Sequence, residues 1–108
     1  MIDDDESPAI IPGPSVPEGA VSKELLIINK RGLHARASAK FVQTVERFSA
    51  EVWVTRGGET VGGTSIMGLM MLSAGPGTTI TVEASGREAA EVIAALAALV
   101  SGRFTEEE

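Results

Sequence analysis

Glu51-Val52-Trp53-Val54-Thr55-Arg56-Gly57-Gly58-Glu59-Thr60-Val61 dictates the architecture of this chain. Its first six residues are rich in β-branched and aromatic side chains and alternate in polarity, which is the pattern of a strand with one face buried. Gly57-Gly58 can adopt positive φ without a Cβ clash, and two such residues make the tightest hairpin turn. Glu59-Thr60-Val61 therefore returns as a short antiparallel partner. A two-stranded hairpin is only marginally stable alone, so the flanking sequence must supply further strands and a cover.

Upstream, the period changes. From Ala35 to Phe48, Phe41, Val42, Val45 and Phe48 share one helical stripe, while Lys40, Gln43, Glu46 and Arg47 point elsewhere. Before it, Leu25-Leu26-Ile27-Ile28 is too short for a globular helix and reads as a buried strand, ended by the loop Asn29-Lys30-Arg31-Gly32. Downstream, Gly62-Gly63-Thr64 leads to Ser65, an N-cap for a short helix over Ile66–Leu72. Gly75-Pro76-Gly77 is a turn, and Thr78 to Ala84 is a strand with Ile80, Val82 and Ala84 on one face. Ser85-x-x-Glu88 has the form of a capping box opening a last helix, whose apolar side carries Val92, Ile93, Leu96, Leu99 and Val100. Gly102 suits a left-handed stop. The order is β-α-β-β-α-β-α. An antiparallel sheet covered by helices on one face buries both apolar sets, so the expected class is α+β, a two-layer open-faced sandwich. No internal repeat has a solenoid period.

The chain has 108 residues, with 15 acidic and 9 basic side chains and a formal charge of −6. The charge is unevenly placed. Residues 1–20 hold five acids, no base and four of the five prolines, and residues 106–108 are all Glu. Residues 21–105 carry a net +2. The expected organisation is a disordered acidic Pro-rich extension (1–20), one domain (21–105) and an acidic tail (106–108). The acidic, Pro-interrupted start is not a signal peptide. No apolar run reaches bilayer-spanning length, which leads to the expectation of a soluble cytoplasmic monomer. The acidic total disfavours nucleic-acid binding. Zero cysteines exclude disulfides, thiolate metal ligation and a thiol nucleophile.

Few residues are left for chemistry. With one histidine, paired-histidine metal ligation is excluded, and no metal or cofactor is expected. His34 lies in Arg31-Gly32-Leu33-His34-Ala35-Arg36-Ala37-Ser38, at or just before the first turn of a helix. A helix N-terminus presents unpaired N–H groups and a partial positive charge, so it attracts anions. Arg36 adds a guanidinium fork. Imidazole is a nucleophile near neutral pH. The plain alternative is a surface histidine serving as a poor N-cap. Ser65 has its own plain role as a cap, and a phosphoserine there would also favour the helix dipole. Ile66, Met67, Met70 and Met71 form an adaptable apolar stripe, part of which must be core. Gly58-x-x-x-x-Gly63-Thr64-Ser65 has the spacing of a phosphate-binding loop, but Thr64 replaces the required lysine and a hairpin precedes it, so a nucleotide site is rejected.

Gly32-Leu33-His34-Ala35-Arg36 and Ser65-Ile66-Met67-Gly68-Leu69-Met70, at this separation on this element order, make the chain resemble the histidine-containing phosphocarrier family, HPr, of the PEP-dependent phosphotransferase system. The resemblance runs from about Val21 to Phe104. It implies a four-stranded sheet of order 1-4-2-3 under three helices, and a stoichiometric carrier, not an enzyme. Enzyme I would donate a phosphoryl group to Nδ1 of His34, which would pass it to an enzyme IIA-type domain. Arg36 matches the arginine that steadies the group. Ser65 matches the serine modified by HPr kinase/phosphorylase. Ile66, Met67 and Met70 match a partner-docking patch. Ser65–Met70 looks like HPr proteins under that kinase, whereas Val92–Leu96 and Ser101-Gly102-Arg103-Phe104 look like the nitrogen-related branch, NPr. The second branch implies a regulatory binding module that moves no sugar. Ala37 departs from the family, which usually has Pro there.

Overall fold

The computed structural model describes residues 20–106. The expectations for residues 1–19 and 107–108 fall outside them. Among the described residues, four strands and three α-helices follow one another, β1 (Val21–Leu26), α1 (Ala35–Val45), β2 (Glu51–Arg56), β3 (Glu59–Gly62), α2 (Ile66–Met71), β4 (Thr79–Ser85) and α3 (Ala89–Ser101), and a short 3-10 turn over Arg103–Thr105 comes last. The strands form one antiparallel sheet of order β1-β4-β2-β3. The predicted β-α-β-β-α-β-α order and 1-4-2-3 sheet are both present, with three helices packed on the sheet and on one another.

The hairpin closes as expected. Gly57 and Gly58 have φ of +60° and +84°, and the register runs from Arg56↔Glu59 to Trp53↔Gly62. β4 sits between β1 and β2 and sends Ile80, Val82 and Ala84 inward. They meet Val52 and Val54 of β2, Phe41 and Val45 of α1, and Val92, Leu96 and Val100 of α3 in one core. Each such side chain contributes about 1.5–3 kcal/mol by leaving water.

Three local expectations need correction. β1, an edge strand, starts earlier and ends at Leu26, and the apolar run across its end alternates: Leu25 and Ile27 are buried, but Leu26 and Ile28 are 53% and 37% exposed. A continuous apolar run cannot face one way, because side chains alternate across a strand. The Ser85–Glu88 capping box does not form. Ser85 is held in the β ladder opposite Glu51, and Glu88 itself is the N-cap, without a side-chain cap bond. The Glu88 carboxylate instead accepts from Ser49 N at 2.7 Å, tying the start of α3 to the α1–β2 connection. Gly102 is not left-handed, with φ −87°. The positive φ values come in the next three residues, Arg103 (+58°), Phe104 (+54°) and Thr105 (+60°). Phe104 is fully buried in the core, and this anchor decides where the chain turns.

Candidate functional site

The loop before α1 is built to hold His34 still. Gly32 has φ +64°, and a Cβ there would lie 2.2 Å from the Ala74 carbonyl oxygen. That close approach lets Leu33 N donate to the same oxygen at 2.9 Å. Asn29, also buried, donates Nδ2 to Gly32 O at 2.9 Å. Leu33 is in the core, and its carbonyl accepts from Ser38 Oγ at 3.2 Å. Between these clamps, His34 adopts extended backbone angles as the N-cap of α1, its carbonyl accepting from Ser38 N at 2.8 Å.

The His34 side chain makes no cap bond to the helix. Its ring is 16% exposed, and Nε2 is hydrogen-bonded to Glu106 Oε2. The other carboxylate oxygen accepts from Asn29 Nδ2 at 3.2 Å. These two acceptors, Gly32 O and Glu106 Oε1, fix which way the Asn29 amide points. Burial raises the Glu106 pKa, but the hydrogen bonds from His34 and Asn29 and the charges of His34 and Arg31 outweigh it, and the net value falls below 4.5. Glu106 is therefore ionised at neutral pH and acts only as an acceptor, so Nε2 carries the proton. In the neutral ring the lone pair is then on Nδ1.

Around the ring lies a shallow cavity of about 420 Å³, lined by Lys30, Arg31, His34, Arg36, Lys40, Thr105 and Glu106. Four cations and one carboxylate make it suited to a small multiply charged anion. The unpaired first-turn amides of α1 add donors from the same end of the helix. Lys40, one turn beyond Arg36, also donates to Phe104 O at 2.7 Å and Thr105 Oγ1 at 2.6 Å, and so staples the C-terminal turn beside His34. The structure thus brings together His34 and Arg36, as the resemblance implied. Asn29, Lys40, Thr105 and Glu106 were missed. For Lys40 a signal existed, since positions 36 and 40 share a helix face. For Glu106 there was none, because 72 residues separate it from His34. Ala37, in place of the family's usual proline, is fully buried within the first turn of α1.

The second candidate region is α2. Ser65 is its N-cap, and Oγ accepts from Gly68 N at 2.9 Å, as the sequence predicted. Ile66, Met67, Met70 and Met71 are exposed, Met67 by 69% and Met71 by 68%, whereas Leu69 alone is buried. This is a contiguous apolar surface of the kind that meets other proteins. α2 packs beside α1, and the Ala74 contact links its far end to the loop before His34. The patch and the cavity are therefore joined by direct contacts. No group of three or more potential metal ligands occurs among the described residues.

Residues 21–102 match the family model described as "PTS HPr component phosphorylation site". The chain belongs to the HPr family. The phosphocarrier protein HPr of Neisseria meningitidis is 52% identical over 88 residues, covering 82% of this chain and 99% of that relative. The phosphocarrier protein NPr of Shewanella violacea is 37% identical over 86 residues, covering 80% and 94%. The crystal structure of HPr-C-His from Thermoanaerobacter tengcongensis superposes with a TM-score of 0.77 at 40% identity, covering 82% of this chain and 99% of that one. HPr family membership supports a phosphocarrier role within the phosphotransferase system. Among the described residues, no helix is long and apolar enough to cross a membrane.

Proposed function

We propose that His34 accepts a phosphoryl group from PEP-charged enzyme I and hands it to a histidine of an enzyme IIA-type protein. The observation that carries this reading is the orientation of the imidazole. It stands at the N-terminus of α1 in an open, cation-lined cavity, with Nε2 engaged by Glu106 and Nδ1 left as the nucleophile. Nδ1 attacks phosphorus as the donor N–P bond breaks. Arg36 and the first-turn amides receive the phosphoryl oxygens. The site is shallow, which leaves room for a donor and an acceptor to approach in line, and it does not enclose the group so tightly that release stops. The chain acts as a stoichiometric carrier, needing no metal or cofactor for these steps.

Ile66, Met67 and Met70, extended by Met71, form the docking surface for both partners. Phosphorylation of Ser65 by an HPr kinase/phosphorylase regulates that docking. It would add a charge of about −1.5 to −2 next to the methionines and disfavour partners whose contact face is apolar or acidic. The test is direct. The full chain is incubated with PEP and enzyme I, and acid-labile phosphate is sought on His34, then chased to a IIA domain. Stoichiometric label that disappears in His34→Ala supports the reading. A folded protein that takes no label from an active donor overturns it.

A further inference from the structure

The sequence reading left Glu106 in an acidic tail, yet the molecule goes to some cost to place it. Three successive non-glycine residues, Arg103, Phe104 and Thr105, adopt positive φ, a conformation that disfavours L side chains by about 1–2 kcal/mol each. Buried Phe104 and the two hydrogen bonds from Lys40 hold this turn. Its product is a carboxylate, 14% exposed, bonded to both His34 Nε2 and Asn29 Nδ2. Strain of this sort gathers where function needs a fixed geometry.

We propose that Glu106 is the positioning residue of phosphoryl transfer, holding the Nε2 proton of His34 and balancing the charge that the ring acquires when Nδ1 is phosphorylated. The proposal rests on the carrier reading and deepens it. In the forward step the Nδ1 lone pair forms the N–P bond, and the donor imidazole keeps the electron pair of the bond that breaks. The proton on Nε2 does not leave. His34 becomes an N-phosphoryl imidazolium, whose positive ring faces the Glu106 carboxylate. On delivery, the N–P electrons return to a ring that is still protonated at Nε2, so His34 departs as neutral imidazole and not as an anion. The same device orients an imidazole wherever a carboxylate backs it.

The other charged groups facing the ring oppose an imidazolium. Lys30 and Arg31 come from the β1–α1 loop, and Arg36 and Lys40 come from α1. Glu106, from the C-terminal turn, is the one anion among the described residues lining the cavity. Its removal should therefore be felt strongly at Nε2. An opposite charge in direct contact favours the charged form of its partner, so Glu106 is the contact that supports a positively charged phosphorylated ring.

Glu106→Gln is the informative variant. It removes the charge but keeps the size and one carbonyl oxygen that can still accept from Nε2; the oxygen that accepts from Asn29 becomes an amide nitrogen that cannot, so Glu106→Asp, which keeps both oxygens, is the control for that lost bond. Wild type and E106Q are charged with PEP and enzyme I, and the phospho-His34 ³¹P resonance is followed against pH. The midpoint for loss of the Nε2 proton is expected to fall by about one pH unit in E106Q. Above that midpoint, phosphoryl loss is expected to slow by up to about tenfold. Glu106→Asp, which restores the charge on a shorter arm, should bring the midpoint back toward wild type. Coincident midpoints for wild type and a folded, labelled E106Q overturn the proposal. Failure of E106D to recover any of the shift does the same. A wild-type protein that takes no label overturns the carrier reading, and this proposal with it.

Discussion

Gly32→Ala isolates what holds His34 in place, and its cost can be worked from geometry. Gly32 has φ +64°, where an L side chain pays about 1–2 kcal/mol. The new Cβ would sit 2.2 Å from Ala74 O and 2.9 Å from Gly75 Cα, both backbone atoms that no rotamer change can move aside. Overpacking of this type costs about 1–3 kcal/mol. The backbones must separate, which weakens the Leu33 N–Ala74 O bond by about another 1 kcal/mol. The expected loss is about 3–6 kcal/mol, a large part of the ~5–15 kcal/mol typical of a domain's whole stability. Urea unfolding followed by circular dichroism measures it. Gly62→Ala is the control: a Cβ there meets nothing within 4 Å, and Gly62 does not have a positive φ. That substitution should be neutral or stabilise by up to about 1 kcal/mol through the unfolded chain. A loss below about 1 kcal/mol for G32A would refute the claim that close backbone approach fixes the loop. The same variant, where still folded, should accept phosphoryl groups more slowly, because His34 and α2 are positioned through this contact.

Ser65→Ala removes the acceptor for Gly68 N and should cost about 1 kcal/mol in chemical denaturation, with phosphoryl acceptance by His34 unchanged. Lys40→Ala removes the ammonium that bonds the Phe104 carbonyl and the Thr105 hydroxyl, so amide exchange at residues 103–106 should quicken while α3 remains protected. Glu106 predicts an acid dependence. A carboxyl whose folded pKa lies below its usual 4.5 contributes stability that is fully present above that value and is lost as pH falls through the folded one. The stability difference between wild type and E106Q should therefore shrink as pH drops below about 4.5, in parallel urea titrations; a difference that stays constant or grows would contradict the assigned direction.

Much of the fold was legible because the decisive patterns are local. The period-two run at Glu51–Arg56, the Gly57-Gly58 turn, the helical stripe of Phe41, Val42 and Val45 and the Ser65 cap each depend on residues within a turn of one another. His34 and Arg36 were legible for the same reason: both lie at the start of one helix. Ser85 and Glu88 show the limit of such reading, since the spacing of a cap was present but the β ladder kept Ser85 for itself.

The sequence by itself determined the element order, the apolar faces and the place of the single histidine at a helix start, because backbone periodicity and turn chemistry act over a few residues. Only the tertiary structure decided what surrounds that imidazole. Anchoring Phe104 in the core turns the chain back, and Glu106 arrives at His34 from 72 positions away. No local rule encodes such a meeting, because the closure of the core sets it. The residue that sequence composition had placed in a charged tail is the one that the fold brings to Nε2 of the ring.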